Sequence, residues 1–257
     1  MYKAAIILQA RMGSTRLPGK VLKTVLDKPL LAYTVERLRY CKLVSELILA
    51  TTNDPSDEPL VAFAQENKLP IFRGSINDVL DRYYSALSLL KDQNIQYIMR
   101  ITGDCPLIDP TICDAVIQEV QKQKADYCIS SERFAEGLDC EVFTKQALIK
   151  AWTEAKLASE REHVTLFIRN HPELFNLAKY DQTRDDGKIR ITVDEQADFE
   201  LVEAIIKALY KKDATPFSFE DIRNFLINHP ELMEKNSDII RNAGLIKSLK
   251  EDYIAKG

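Results

Sequence analysis

Short apolar runs recur along the chain at Ala4–Leu8, Glu46–Thr52, Pro70–Arg73, Tyr97–Ile101 and Ala125–Ile129. Continuous runs of this length predict strands buried on both faces, as in a parallel sheet. Between them, apolar residues fall three and four positions apart, the helical period. This pattern predicts helices over Pro29–Leu38, with proline in the first turn, Pro59–Asn67, Ile76–Asp92, Thr111–Lys124 and Thr144–Ala158. Strand and helix thus alternate through the first half. The expectation is an α/β fold: a mostly parallel, doubly wound, Rossmann-like sheet with helices on both faces and ligands at the carboxyl ends of the strands.

The second half is less regular. Over Glu136–Phe143, Asp139 and Glu141 alternate with Leu138, Cys140 and Val142, which on an extended strand places both carboxylates on one face. Ile189, Ile191 and Val193 alternate with Arg190, Thr192 and Asp194, predicting a strand with one polar face. A helix then carries Phe199, Val202, Ile205, Ile206 and Leu209 on its apolar side. From Phe217 on, the pattern reads as helices over Phe219–Ile227, Glu231–Asn242 and Ile246–Ile254, with Ser218 and Asp221 spaced as an N-terminal cap. The prolines of the recurring Asn-His-Pro-Glu-Leu, Pro172 and Pro230, each mark a helix start. The expected organisation is an α/β domain over 1–215, with a distinct subregion at 131–180, and a helical extension over 216–257.

Size and charge narrow the classes. The chain has 257 residues, 46% hydrophobic and 29% charged, with a net charge of −4. These values suit an ordinary globular protein and do not favour a nucleic-acid partner. No apolar run is long enough to span a bilayer, so no membrane association is expected. The five cysteines form no Cys-x-x-Cys pair and read as reduced thiols of a cytoplasmic protein. One local exception stands out. Across residues 11–28, Arg11, Arg16, Lys20, Lys23 and Lys28 face only Asp27. A basic patch on an acidic protein suits a small polyanion.

That patch follows the first strand as Gln9-Ala10-Arg11-Met12-Gly13-Ser14-Thr15-Arg16-Leu17-Pro18-Gly19-Lys20. A strand, a basic loop of glycines and hydroxyls, then a helix is a phosphate-binding arrangement. It is not a P-loop: Gly13 and Gly19 are one residue too far apart, and Val21 stands where Ser or Thr would bind magnesium. The dinucleotide fingerprint is missing too. Two further strand ends carry carboxylates. Asp104, in Thr102-Gly103-Asp104-Cys105-Pro106, is either a magnesium ligand at the top of the sheet or a cap for the helix near Pro110. Asp194 ends the last strand, whereas Asp198 reads as a capping or solvated residue. Arg73-Gly74-Ser75 is a similar strand-end turn, with Asn77 or Asp78 as a helix cap.

The stretch from Gln9 to Lys20 resembles the signature loop of the sugar nucleotidyltransferases, a nucleotide-diphospho-sugar transferase type of fold. It is most similar to the cytidylyltransferases that make CMP-activated acidic sugars, and within them to the spore-coat polysaccharide biosynthesis protein F branch. The resemblance also rests on Arg100–Ile108, Arg190–Asp194 and the Asn236–Leu249 wording. It implies that Arg11, Gly13, Ser14, Arg16 and Lys20, with Gln9 and Ala10, wrap a triphosphate. It implies that Asp104 and Asp194 hold Mg2+, and that Arg11, Lys20 and the two aspartates carry catalysis. Arg73, Gly74, Ser75, Thr102 and Gly103 are then further nucleotide contacts, although relatives carry Ser-Gly-Thr where this chain has Gly-Ser-Ile. Asp139, Glu141, His163 and Arg190 are the implied acceptor contacts, with His163 to Arg169 one residue short of the family spacing. The implied reaction is transfer of CMP from CTP to a keto-sugar acid with release of pyrophosphate, often by a homodimer, in surface or spore polysaccharide biosynthesis. The alternatives are a glycosyltransferase using a nucleotide-sugar donor, for which no Asp-x-Asp motif is found, and a regulatory module that binds nucleotide without turnover.

Overall fold

The computed structural model describes residues 3–255. Among them the strands are β1 (Ala4–Gln9), β2 (Thr24–Val25), β3 (Lys28–Pro29), β4 (Val44–Thr52), β5 (Ile71–Gly74), β6 (Tyr97–Thr102), β7 (Tyr127–Ser130), β8 (Glu141–Thr144) and β9 (Leu177–Tyr180). The helices are α1 (Leu30–Leu38), α2 (Glu58–Glu66), α3 (Val79–Ala86), α4 (Pro110–Gln123), α5 (Lys145–Glu154), α6 (Ala158–Glu162), α7 (Leu166–Asn170), α8 (Gln196–Leu209), α9 (Phe219–Asn228), α10 (Pro230–Glu234) and α11 (Ala243–Lys250). Seven strands form one sheet in the order β5-β4-β1-β6-β8-β7-β9, and β2 with β3 make a small hairpin.

The chain winds outward from β1 through β4 to β5, then returns to place β6 on the other side of β1. That reversal opens a crevice at the carboxyl ends of β1 and β6, where such sheets bind ligands. The expected mostly parallel sheet is present, and β8 alone runs against its neighbours β6 and β7. Period-two alternation along β1 feeds a core on each face. Ile6 and Leu8 pack with Leu31, Val35, Phe63 and Val116. Ala5 and Ile7 pack with Leu80, Tyr83, Leu148 and Phe167. A third core joins α8 and α9 to Leu30, Leu107, Ile191 and Val193.

Several expected elements are shorter or absent. The helix expected from Ile76 begins at Val79, because the Ser75 hydroxyl accepts the Asn77 and Asp78 N–H groups in a preceding turn, and Asp78 caps the helix. α5 stops at Glu154, and the stretch after Glu234 is turns until α11. Pro230 opens α10 as expected, but Pro172 opens no helix. The segment 189–193 is extended without being a strand. It makes one bridge, Glu136 to Arg190, and its remaining pairing goes to a loop carbonyl. Its supposedly polar face is buried, Arg190 and Thr192 included. β8 starts only at Glu141, since Gly137 (φ 107°) turns the chain just before it, so Asp139 and Glu141 share no strand face. β9 went unrecognised because Lys179 interrupts a run of only four residues at the sheet edge.

The core of β1 should dominate stability. Leu8→Ala is expected to cost about 2–5 kcal/mol, since a fully buried side chain leaves a cavity. Ile240→Ala, at an exposed residue, should change stability by under about 0.5 kcal/mol. Urea denaturation of the two variants provides the comparison.

Candidate active site

The basic loop leaves β1 at the crevice and is pinned at once. Ala10 N–H donates to Ala50 O at 3.1 Å. Met12 N–H donates to Asp57 Oδ1 at 2.6 Å, across 45 residues. Asp57 is buried, and its other oxygen accepts the Thr51 hydroxyl, the Thr52 N–H and the Thr52 hydroxyl at 3.0, 3.1 and 2.5 Å. The Met12 carbonyl then closes the loop by accepting Ser14 N–H and Gly19 N–H at 2.8 and 3.1 Å. Leu17 anchors the loop in the third core. Gly19 sits in the left-handed region (φ 66°), which costs glycine little, and starts a single 3-10 turn over Lys20–Leu22. That reversal carries Lys20 inward, where it is only 8% exposed.

Asp104 reaches the same place from β6. Gly103 packs so closely that a Cβ would meet Ala10 Cβ at 3.0 Å and Gln9 O at 3.2 Å, and its N–H donates to Gln9 O at 2.7 Å. The Asp104 carbonyl accepts Val193 N–H at 2.8 Å and the Thr192 hydroxyl at 3.1 Å, which docks the 191–194 segment beside it. Asp194 therefore arrives by irregular backbone. The outcome is one shared cation: Lys20 Nζ donates to Asp104 Oδ2 at 3.0 Å and to Asp194 Oδ1 at 2.7 Å. Asp104 caps no helix; the cap of α4 is Asp109.

Electrostatics follow from this geometry. Burial works to lower the Lys20 pKa, but Asp104 and Asp194 outweigh it, and the ammonium is held above its ordinary range. Burial would raise Asp104, yet Lys20 and a hydrogen bond from Thr102 hold that carboxyl well below its ordinary range. Arg16 adds a second cation, 3.1 Å from Asp194 Oδ2 and 3.1 Å from Glu195. Arg190, placed by the resemblance near the acceptor, instead supports Asp194. It is buried among carboxylates, 2.6 Å from Glu136, 2.9 Å from Asp198 and 3.0 Å from Asp194. Asp198 is fully buried, so it is not a solvated residue, and its carboxylate also accepts the Asp194 and Glu195 N–H groups.

The remaining expected residues fall into distinct places. Arg11 and Gly13 are exposed at the crevice, and Ser14 supports the loop by accepting Leu17 N–H at 3.3 Å. Gln9 points a buried Oε1 that finds no partner among the described residues. Arg73 is engaged with Glu58 at 2.9 Å and Thr52 O at 3.2 Å, and Ser75 supports the start of α3. Glu141 is buried, with its oxygens taken by Arg100, Tyr127 and Thr165 at 2.5, 2.5 and 2.6 Å. Asp139 lies apart from it, paired to Arg241 at 2.5 Å. His163 is held below its ordinary pKa chiefly by burial. Sequence reasoning gave no role to Asp57, Glu136 or Arg161, which is 2.6 Å from Asp78. Asp57 lies in the turn-forming stretch Asn53-Asp54-Pro55-Ser56-Asp57-Glu58, where nothing local signals a contact 45 residues away.

The shared ammonium should shape the pH profile of stability. Asp104, with its lowered pKa, contributes stability above about pH 3.9 that is lost on further acidification. Lys20, with its raised pKa, contributes stability present below about pH 10.4 and lost as pH rises through its folded value. Urea midpoints measured across pH should therefore form a plateau bounded by these two limbs. Lys20→Met should flatten both, and an unchanged profile would contradict the pairing.

Comparisons with known proteins identify the family. A family profile described as cytidylyltransferase matches residues 5–237. The spore coat polysaccharide biosynthesis protein SpsF of Bacillus subtilis is 37% identical over 219 residues, covering 82% of this chain and 88% of that one. The structure of a cytidylyltransferase from Leptospira borgpetersenii has a TM-score of 0.84 at 33% identity, covering 94% of this chain and 100% of that one. A CMP:2-keto-3-deoxy-manno-octonic acid synthetase solved with CTP shares the fold, with a TM-score of 0.60 at 17% identity over 80% of this chain and 99% of that one. The matched region runs from the first strand past the basic loop and both aspartates, and the chain belongs to the cytidylyltransferase family.

Proposed function

We propose that the protein transfers CMP from CTP to a hydroxyl of a keto-sugar acid, releasing pyrophosphate, in surface or spore polysaccharide biosynthesis. The observation that carries this reading is the meeting of Asp104 and Asp194 on Lys20, an ammonium delivered by a basic loop. Family membership and the polysaccharide name of the Bacillus subtilis relative support it. Arg11, Arg16 and Lys20, with the backbone around Gly13 and Ser14, would bind the triphosphate and stabilise the departing pyrophosphate. Asp104 and Asp194 would hold Mg2+. They fit it in one respect: two carboxylates from separate parts of the chain already share one cation. A hard cation that takes its other oxygens from phosphate and water suits such a pair. When bound, Mg2+ supplies charge neutralisation on the phosphates and acidifies a coordinated hydroxyl. Lys20 holds the two carboxylates together. All five cysteines are free and buried, and no helix among the described residues is long and apolar enough to cross a membrane. Both facts suit an enzyme working in the reducing cytoplasm.

Pyrophosphate release, measured with each nucleoside triphosphate and a panel of keto-sugar acids, tests the reading. Release that requires CTP together with a sugar acid supports it. Release of UDP or GDP from a nucleotide-sugar would instead identify a glycosyltransferase. Asp104→Asn should lower kcat by at least about 10²-fold, the scale of losing one electrostatic stabiliser of the transition state. Lys20→Met should weaken CTP binding. It should also raise the affinity of the nucleotide-free protein for Mn2+, because the ammonium no longer occupies both carboxylates; titration calorimetry would show this.

A further inference from the structure

Beyond α9 the chain is an arm that lies almost wholly on the surface. α10 and α11 bury no side chain, and Ile240, Leu249, Tyr253 and Ile254 are exposed. Among the described residues after Leu226, only Asn236 is buried, at 3% exposure. An arm docked by packing alone would insert an apolar residue at its one buried point. This one inserts a carboxamide.

The amide nitrogen carries two hydrogens, and both are used. Asn236 Nδ2 donates to Asp198 Oδ1 at 2.9 Å and to Arg190 O at 3.1 Å. Both residues hold Asp194, whose carboxylate also meets Lys20 and Arg16. Asp198 Oδ2 accepts the Asp194 N–H at 2.9 Å, and Arg190 Nη2 donates to Asp194 Oδ2 at 3.0 Å. One residue therefore fixes the backbone of Asp194, the other its carboxylate, and Asn236 touches both. We propose that Asn236 is a positioning residue for Asp194: the C-terminal arm sets where the cation-holding carboxylate stands. This rests on the reading of Asp194 as half of the cation site.

The arm does not need Asn236 to stay in place. Arg241 donates to Glu132 O and Phe134 O, each at 3.1 Å, and pairs with Asp139. Further on, Ala158 N–H donates to Tyr253 O at 2.8 Å, and Ala255 N–H to Lys156 O at 2.7 Å. Ser159 also donates to Asp252 through its N–H at 3.0 Å and its hydroxyl at 2.6 Å. A substitution at 236 thus removes two hydrogen bonds to the Asp194 support, while Leu232 and Met233 before it still pack on the third core and Arg241 after it still pairs. Aspartate there would be worse than alanine, since it would set a carboxylate against Asp198 with no donor between them.

The test measures CTP binding with Mn2+ and with EDTA, in the absence of any acceptor, together with thermal midpoints, for the full chain and for Asn236→Ala and Asn236→Asp. Losing a group that orients a metal ligand typically costs about 10–100-fold in metal affinity. Mn2+-dependent CTP affinity should fall by about 10-fold or more in both variants, with metal-free CTP binding unchanged. A lowered thermal midpoint with unchanged Mn2+-dependent affinity would overturn the proposal and leave Asn236 a packing residue. If Asn236→Ala does not fold, Asn236→Ser, which keeps one donor, carries the same comparison. Failure of the unaltered protein to bind CTP with Mn2+ would count against the cytidylyl-transfer reading itself, a result distinct from failure of the variants alone.

Discussion

Two carboxylates brought together out of bulk water repel each other, and the fold answers that repulsion with one ammonium. The Lys20 contacts to Asp104 and Asp194 are the constraint that organises the crevice. Each group arrives from a different part of the chain, and each is aimed by something else. Gly19 turns Lys20 inward, the close packing of Gly103 on β1 lifts Asp104 to the sheet edge, and the Asp104 carbonyl seats the segment that carries Asp194. The cation is held charged against burial by the same two carboxylates, so the three groups form one electrostatic unit.

Around this unit the two halves of the molecule behave differently. The first half is a regular wound sheet whose order creates the crevice and whose buried Asp57 fixes the start of the basic loop. The second half contributes little regular structure at the site. It supplies a buried ion-pair lattice of Glu136, Arg190, Asp194 and Asp198, closed from outside by Asn236. Buried ion pairs hold geometry well only when every lone pair and proton is matched, and here the backbone N–H groups at the start of α8 complete the matching.

Much of this was legible from the residues alone. Continuous apolar runs revealed β1, β4 and β6, because a strand buried on both faces has no polar side to show. Helical spacing revealed α1, α4 and α8, and glycine, hydroxyl and cation spacing marked the basic loop. Asp104 and Asp194 stood out because a carboxylate leaving a buried strand, or ending an apolar alternation, has few structural reasons to be there. What local pattern could not settle was whether an alternation pairs as a strand. The stretch from Ile189 to Val193 alternates correctly yet pairs with a loop, and Asp139 stays outside the strand that begins only at Glu141.

The chain by itself thus determined the first strands of the sheet, the basic loop and the identity of the two acidic residues, since each is written in short-range periodicity or in a cluster of specialised residue types. Only the tertiary structure decided which cation the carboxylates share, that Arg190 pairs with Asp194, that Glu141 is consumed by Arg100, and that a carboxamide far down the chain touches the support of Asp194. The physical reason is that charge pairing and hydrogen-bond matching act between groups distant in sequence. Their partners are chosen by where the backbone delivers them, a quantity that no local pattern encodes.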